Sequence, residues 1–471
     1  MKAIIQYEWL QIKRNKVAIL LLGITGLLLI ISLVISWNYY QWYSRLQKEV
    51  SDNARHHWET QGEKNSHSAA HFGIYLFKPL SALAIWDSGI EKHYGVSLYI
   101  EAHKRNELQL KAIEDNPLLA RWGELTPAGM LLVVLPLLMI WLAASMVVTD
   151  RSNGTLKMLL IQGVPVRKLI WGKALTLWCI SGSMIGAIWL CGGILTSILS
   201  QQNFFNASSF SLLLLYQLYA GVFILAGIIL SMKAKTARAA LVSALGIWLL
   251  VVWLAPRCFV QWSNARYPPV DAETFMARIG EDIALNGLNS HGAAGNKEKE
   301  LQNQWLQKYG VDSVQQLPLN WLGVVLQADE EINNPIYDKH YDSLYNIFRL
   351  QIDMHHRSGW MSPTLPAKYA SMALAGTDLY NCISFYRQTE AYRKTFIKRL
   401  NERLRDNSQY GGRDTGNTAF WKTAPVFTYI PPANGNKWAQ AKAPFLTVMV
   451  WVLVLAAATQ LLAPRIKIIE N

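Results

Sequence analysis

Six long stretches of this 471-residue sequence contain no Asp, Glu, Lys or Arg: Val17–Ser36, Thr126–Val148, Ala174–Leu199, Ser211–Ser231, Ala239–Pro256 and Ala443–Ala463. Each is close to the roughly 17–25 residues that a helix needs to cross about 30 Å of hydrocarbon. A charge at the centre of such a span costs about 2.5–3.5 kcal/mol, so six charge-free windows argue against the buried helices of a large soluble core. Cysteine is also scarce, with only four residues and no C-x-x-C. That leaves no disulfide framework and no thiolate metal site legible in the chain. Cys179 and Cys191 fall within the third window, as small apolar residues. Cys258 and Cys382 both lie in the long polar segment 257–442, on the expected outer side, where they could pair.

Catalytic signatures are missing too. No G-x-x-x-x-G-K-[ST] occurs, and the nearest fragment, Gly172-Lys173-Ala174, lacks both the earlier glycine and the following hydroxyl that phosphate and Mg2+ require. Any ATP used by this protein must be hydrolysed elsewhere. G-x-S-x-G and H-E-x-x-H are absent as well. His67 and His71, in HSAAH, have the spacing of two ligands on one helical face. Ten histidines spread over polar loops read more simply as surface residues, and no metal site is assigned.

Hydrophobic residues are plentiful, at 51%, yet the mean hydropathy is only +0.12, so the apolar residues must be concentrated. The chain reads as an all-α polytopic membrane protein with six transmembrane helices. The first window is too long for a signal peptide, and SWNYYQWYS follows where small cleavage-site residues belong. Trp37, Tyr39, Tyr40, Trp42 and Tyr43 suit an aromatic collar at the membrane–water boundary.

Most of the net charge of +13 sits in four short segments. Residues 1–16 carry Lys2, Lys13, Arg14 and Lys16; residues 149–173 carry Arg151, Lys157, Arg167, Lys168 and Lys173. Residues 232–238 carry Lys233, Lys235 and Arg238, and residues 464–471 carry Arg465 and Lys467. Against these stand only Glu8, Asp150 and Glu470. Six spans that start inside place all four segments in the cytoplasm, with both termini, as the positive-inside rule asks. Basic residues scattered along membrane borders make no single face for nucleic acid, so no nucleic-acid partner is expected. The expected layout is an interfacial elbow helix over 1–16, on which Ile5, Trp9 and Ile12 share an apolar face against membrane lipid. Span one at 17–36 and an external loop at 37–125 follow. Spans two to five occupy 126–256, with a cytoplasmic helix at 150–165. A mostly helical external domain fills 257–442, and span six at 443–463 ends in a tail at 464–471.

The stretch DRSNGTLKMLLIQGVPVRKLIWGK, residues 150–173, has a loop's charges around a helix's periodicity. Ser152 or Asn153 can cap a helix whose Leu156, Leu159 and Leu160 share one face. Gly163 suits its end, Pro165 blocks continuation, and a second helix starts at Val166. Such an element lies across the ends of two spans and can be pushed from below.

This stretch resembles the coupling segment of type-2 ABC transporter permeases. The matching residues are Arg151, Gly154, Thr155, Leu156, Leu159, Leu160, Pro165, Val166, Arg167, Gly172 and Lys173. Asp150 stands where the family more often has Glu, and no Ser separates Val166 from Arg167. The resemblance implies that the helix docks on a cytoplasmic ABC ATPase, which holds ATP and Mg, while this chain binds no cofactor. It also implies a bacterial inner-membrane location and a second permease, identical or related, to complete the pathway. Ser362–Leu404 is similar to a permease subgroup with a large external domain. The match rests on Ser362, Pro363, the Ala375-Gly376-Thr377-Asp378 turn, Phe385 and Glu390-Ala391-Tyr392-Arg393. Asp378 or Thr377 can cap a helix running to about Arg405, with Tyr380, Phe385 and Tyr392 among its packing residues.

The expected function is a non-enzymatic permease subunit, its family's usual direction being export. A mechanotransmission subunit, which works an external domain without moving substrate, is the alternative. A membrane-anchored external enzyme is a third reading, and it would need clustered ionisable groups with shifted pKa values in an external pocket.

Overall fold

The computed structural model describes residues 1–107, 125–288, 295–412 and 414–466. His291, Lys467, Glu470 and residues 108–124 of the first loop therefore lie outside the described residues. The fold is all-α and polytopic, with six helices long and apolar enough to cross a membrane. Helix α1 (Lys2–Arg14) is a short arm. Asn15 then starts α2 (Lys16–Glu59), its side chain accepting from the amides of Val17 and Ala18 at 3.1 Å each.

α2 departs from the expected 20-residue span. It runs unbroken for 44 residues, about 66 Å at 1.5 Å per residue, twice the hydrocarbon thickness. The aromatic collar divides accordingly. Trp42 is exposed, whereas Tyr40 and Tyr43 are buried, and the Tyr43 hydroxyl sits 3.0 Å from the Lys78 carbonyl and 3.2 Å from that of Val96. A folded segment packs onto this face of the helix, so the tyrosines serve protein contacts instead of lipid.

The other spans are α4 (Pro127–Ser152), α6 (Val166–Leu199) and α7 (Ala207–Lys233), then a composite fifth and α15 (Asn434–Leu462), with α3 (Ser66–Phe72) before them and α5 (Thr155–Ile161) between α4 and α6. The fifth passes from α8 (Ala237–Trp248) through a π-helical turn at Leu249–Leu254 into α9 (Ala255–Arg266). Pro256 explains the widened turn. It has no N–H for the carbonyl four residues back, and the Ala255 amide already bonds five residues back to Leu250.

The two long loops are not independent, as the sequence layout had them. They fold into one unit with α10 (Ala272–Asn286), α11 (Asn296–Tyr309), α12 (Trp321–Arg357) and α14 (Leu379–Asn407). Strand β1 (Lys64–Asn65) pairs antiparallel with β4 (Thr415–Gly416), in register Lys64↔Gly416. β2 (Ile74–Phe77) pairs antiparallel with β3 (Ser97–Ile100), Ile74 opposite Ile100. Trp58, from the far end of α2, stacks edge-on to Trp421 and donates its indole N–H to the Trp421 carbonyl at 3.1 Å. Phe275, Tyr341, Tyr386 and Phe396 close the same core.

One helix of the 257–442 region leaves that unit. α13 (Thr364–Ala375) is buried almost throughout and packs between α7 and α15 inside the bundle. Tyr216 and Ser371 hydroxyls meet at 2.6 Å, and those of Tyr219 and Thr364 at 2.9 Å. At 12 residues this helix spans about 18 Å, too short to register as a membrane window. The cysteine pair is not formed: Cys382 is buried within α14 and Cys258 is exposed on α9, both with free thiols. Cys179 and Cys191 face outward from α6 instead of packing inside.

Candidate functional site

The stretch from Asp150 to Lys173 folds into a small helix seated on the end of the bundle. α5 (Thr155–Ile161) starts at Gly154, whose φ of +77° is left-handed and needs no Cβ. Neither Ser152 nor Asn153 caps it. Ser152 is the last residue of α4, its hydroxyl bonded back to Thr149, and Asn153 ends that helix. Gly163, at φ +81°, closes α5: its amide reaches Leu160 at 3.0 Å and that of Val164 reaches Leu159 at 3.1 Å, a Schellman pair. Pro165 then leads into α6.

Burial sorts the coupling-type residues into two groups. Leu156 is 1% exposed and anchors α5 to α4, so it is not available for docking. Leu159, Leu160, Thr155 and Val166 are half-buried. The apolar surface on offer is instead Met158, 62% exposed, with Ile161, 75% exposed. These lie three residues apart on the opposite side of the helix and are flanked by exposed Lys157, Gln162, Pro165, Arg167 and Lys168. Sequence periodicity marks Leu156, Leu159 and Leu160 as one face but is silent about which face turns inward.

Three more residues of the stretch belong to the interior. Arg151 wraps the end of α7, donating to the Met232 and Ala234 carbonyls at 2.7 and 2.9 Å. A Cβ on Gly172 would sit 2.4 Å from Ile4, because α1 crosses α6 there. Lys173, 1% exposed, pairs with Glu8 of α1 at 2.6 Å and Asp150 of α4 at 2.5 Å. Glu8 and Ile12 form the inward face of α1, and Trp9 lies exposed on the other side, so the arm's expected apolar face is split. Trp171 donates to Gln460 of α15 at 2.8 Å. The stretch that carries Met158 and Ile161 thus contacts α1, α4, α6, α7 and α15. Its neighbourhood holds segments from all four basic regions, at one end of the bundle.

At the opposite end, a cleft of about 940 Å³ opens between α4 and the fifth span, lined in part by Met130, Val133, Val252, Trp253 and Lys368. The π turn borders it. The Ser362 and Thr364 hydroxyls donate to the Val251 carbonyl at 2.7 and 3.2 Å.

The external-domain motif is structural where it is described. Pro363 leads into α13, Gly376 ends it at φ +75°, and the Thr377 carbonyl accepts from Ile90. Asp378 caps α14, accepting from the Asn381 amide at 3.0 Å. Tyr392 donates to the Pro425 carbonyl at 2.7 Å. Arg393 pairs with Glu390 and Glu330, each at 2.9 Å, all three buried. Burial alone would lift the Glu330 carboxyl, yet Arg393 and a bond from the His103 amide hold it below its usual range.

Among the described residues, Ser263, His355 and Tyr369 are grouped like a catalytic array. The Ser263 hydroxyl donates to Val260 at 2.9 Å, so His355 Nε2 must donate to Ser263 at 2.7 Å while Nδ1 accepts from Tyr369 at 2.6 Å. That polarity is opposite to a base activating a serine. Burial accordingly pushes His355 down to about 4.

Residues 112–254 match the family model described as ABC-2 family transporter protein, and residues 272–430 match a domain of unknown function, DUF3526. No curated protein and no solved structure matches the chain.

Proposed function

We propose that this ABC-2-type permease, an ABC-2 family transporter domain followed by a DUF3526 domain, is driven by ATP hydrolysed on a separate ABC subunit. That subunit, with its ATP and Mg, docks on Met158 and Ile161. The chain is a membrane permease by family and makes no catalytic contribution of its own. Both termini and α5 face the cytoplasm of a bacterial inner membrane, the DUF3526 unit faces outward, and a second permease, identical or related, completes the route. The family's usual direction, export, is the one assigned. One observation carries the reading: an exposed apolar pair at the tip of a helix whose other face, through Leu156, is fixed to the bundle.

A second reading rests on α2, whose 44 unbroken residues form a rigid shaft from the bundle to Trp58 in the outer core. In that case ATP-driven rocking works the DUF3526 unit and nothing crosses. Co-reconstitution with the ATPase subunit in proteoliposomes separates the two. Met130→Trp with Val133→Trp narrows the cleft between α4 and the fifth span. Transport predicts that ATPase activity becomes uncoupled from export by this change, whereas mechanotransmission predicts unchanged nucleotide-dependent movement of the outer unit. Failure of the wild-type chain to bind any ABC subunit would overturn both.

A further inference from the structure

His67 and His71 lie one turn apart on α3, and the tertiary fold brings a third imidazole to them. Asn65 fixes the start of α3 by accepting from the His67 amide at 2.9 Å, while β1–β4 pairing holds the strand before it. The Ala102 amide donates to the Ala70 carbonyl at 3.1 Å, which sets the end of the β3 segment beside HSAAH. His103 follows with φ +63°, a left-handed conformation that a non-glycine residue seldom adopts and that clusters at functional sites. Two acids of α12 maintain it. Glu330 accepts from the His103 amide at 2.7 Å, and Asp329 faces His103 Nδ1 at 2.7 Å.

The resulting geometry could hold a metal ion. One candidate ligand nitrogen from each of His67, His71 and His103 lies within 4.8 Å of the others, and the Nε2 atoms of His67 and His71 are 3.2 Å apart. Tetrahedral zinc with Zn–N of about 2.0–2.1 Å places its nitrogen ligands roughly 3.3 Å apart. A neutral imidazole that donates Nδ1–H to a carboxylate carries its lone pair on Nε2, which is the carboxylate–histidine–metal arrangement. Imidazole sets of this kind suit late first-row divalent ions, whereas Mg2+ and Ca2+ prefer oxygen.

We propose that His67, His71 and His103 bind one zinc-class divalent cation on the extramembrane unit, with Asp329 as the positioning residue for His103. Among the described residues, the three imidazoles supply three of the four ligands that tetrahedral zinc takes. The Glu330–Arg393–Glu390 cluster then has a purpose beyond packing, since Glu330 also holds the His103 backbone. The inference does not depend on the transport reading.

The test uses the full chain without a polyhistidine tag, stripped with chelator and held in nanodiscs. Titration with zinc should show one site. Titration with Co2+ should give the intense visible bands of a tetrahedral nitrogen-ligated ion. His67→Ala with His71→Ala should abolish both signals while the stripped variant keeps a cooperative thermal unfolding transition. Asp329→Asn should weaken affinity by about 10- to 100-fold while keeping the Co2+ bands. Equal zinc binding by the wild type and the His67→Ala/His71→Ala variant would overturn the site, as would octahedral Co2+ spectra. Failure of ATPase coupling would leave this result untouched.

Discussion

Replacing Met158 and Ile161 together by Asp tests where the ATPase engages. Full burial of such a side chain stabilises by about 1.5–3 kcal/mol. With 62% and 75% of the two still accessible, docking has about 2–4 kcal/mol to gain from them together. At 1.4 kcal/mol per tenfold change, the double substitution should weaken association roughly 30- to 700-fold. The charge introduced adds to the cost if the receiving groove is apolar. Both positions point away from the bundle, so the melting temperature of the permease should barely move. Leu156→Asp is the instructive contrast. It forces a carboxylate into the α4–α5 contact, and about 3 kcal/mol or more of stability should be lost, so any drop in association accompanies a lower melting temperature. The assay is titration of a co-expressed ABC subunit onto nanodisc-held permease, with ATP turnover read in parallel. Unchanged association for Met158→Asp/Ile161→Asp would refute the docking surface, whatever Leu156→Asp does.

Lys173→Met removes the cation that pairs with Glu8 and Asp150, leaving one buried and one half-buried carboxylate; breaking such a pair costs about 3–5 kcal/mol, read as a lower melting temperature in detergent. Adding Glu8→Gln and Asp150→Asn to that variant should recover much of the loss, and a wild-type melting temperature for Lys173→Met alone would show the cluster to be idle. His355 gives a pH dependence of definite sign. Its pKa is about 4 in the fold against 6.5 when free, so below pH 6.5 the unfolded chain takes up a proton that the folded chain refuses. Stability contributed above pH 6.5 is lost as pH falls toward 4, by about 3 kcal/mol at 1.36 kcal/mol per unit. Thermal melts of His355→Gln should lose less between pH 7 and 4 than the wild type; parallel curves would contradict the buried neutral histidine.

Local chemistry made several features legible without coordinates. Charge-free runs fixed the six spans because the cost of a charge in hydrocarbon is paid residue by residue. Gly163 and Pro165 marked the end of α5 because φ > 0 and a missing N–H act within one turn. Asp378 stood before its helix with a side chain suited to the first free amide, and it caps that helix. The likeness of residues 150–173 to a coupling segment was equally local, and the family match over residues 112–254 agrees with it.

Other features depended on partners far away in the chain. Leu156 and Met158 are both apolar, and only the position of α4 decides which is anchor and which is surface. Lys173 reads as another basic residue of a membrane border until Glu8 and Asp150, 165 and 23 positions away, close around it. α13 is not legible as a span because it has only 12 residues, and its burial comes from apolar packing against α7 and α15. The joining of the two outer loops rests on contacts such as Lys64 paired with Gly416 and Trp58 packed on Trp421, which no local pattern encodes. His103 shows the division most clearly: HSAAH announces two imidazoles by helical spacing alone, whereas the third arrives only because a strand end and two carboxylates of α12 hold it there.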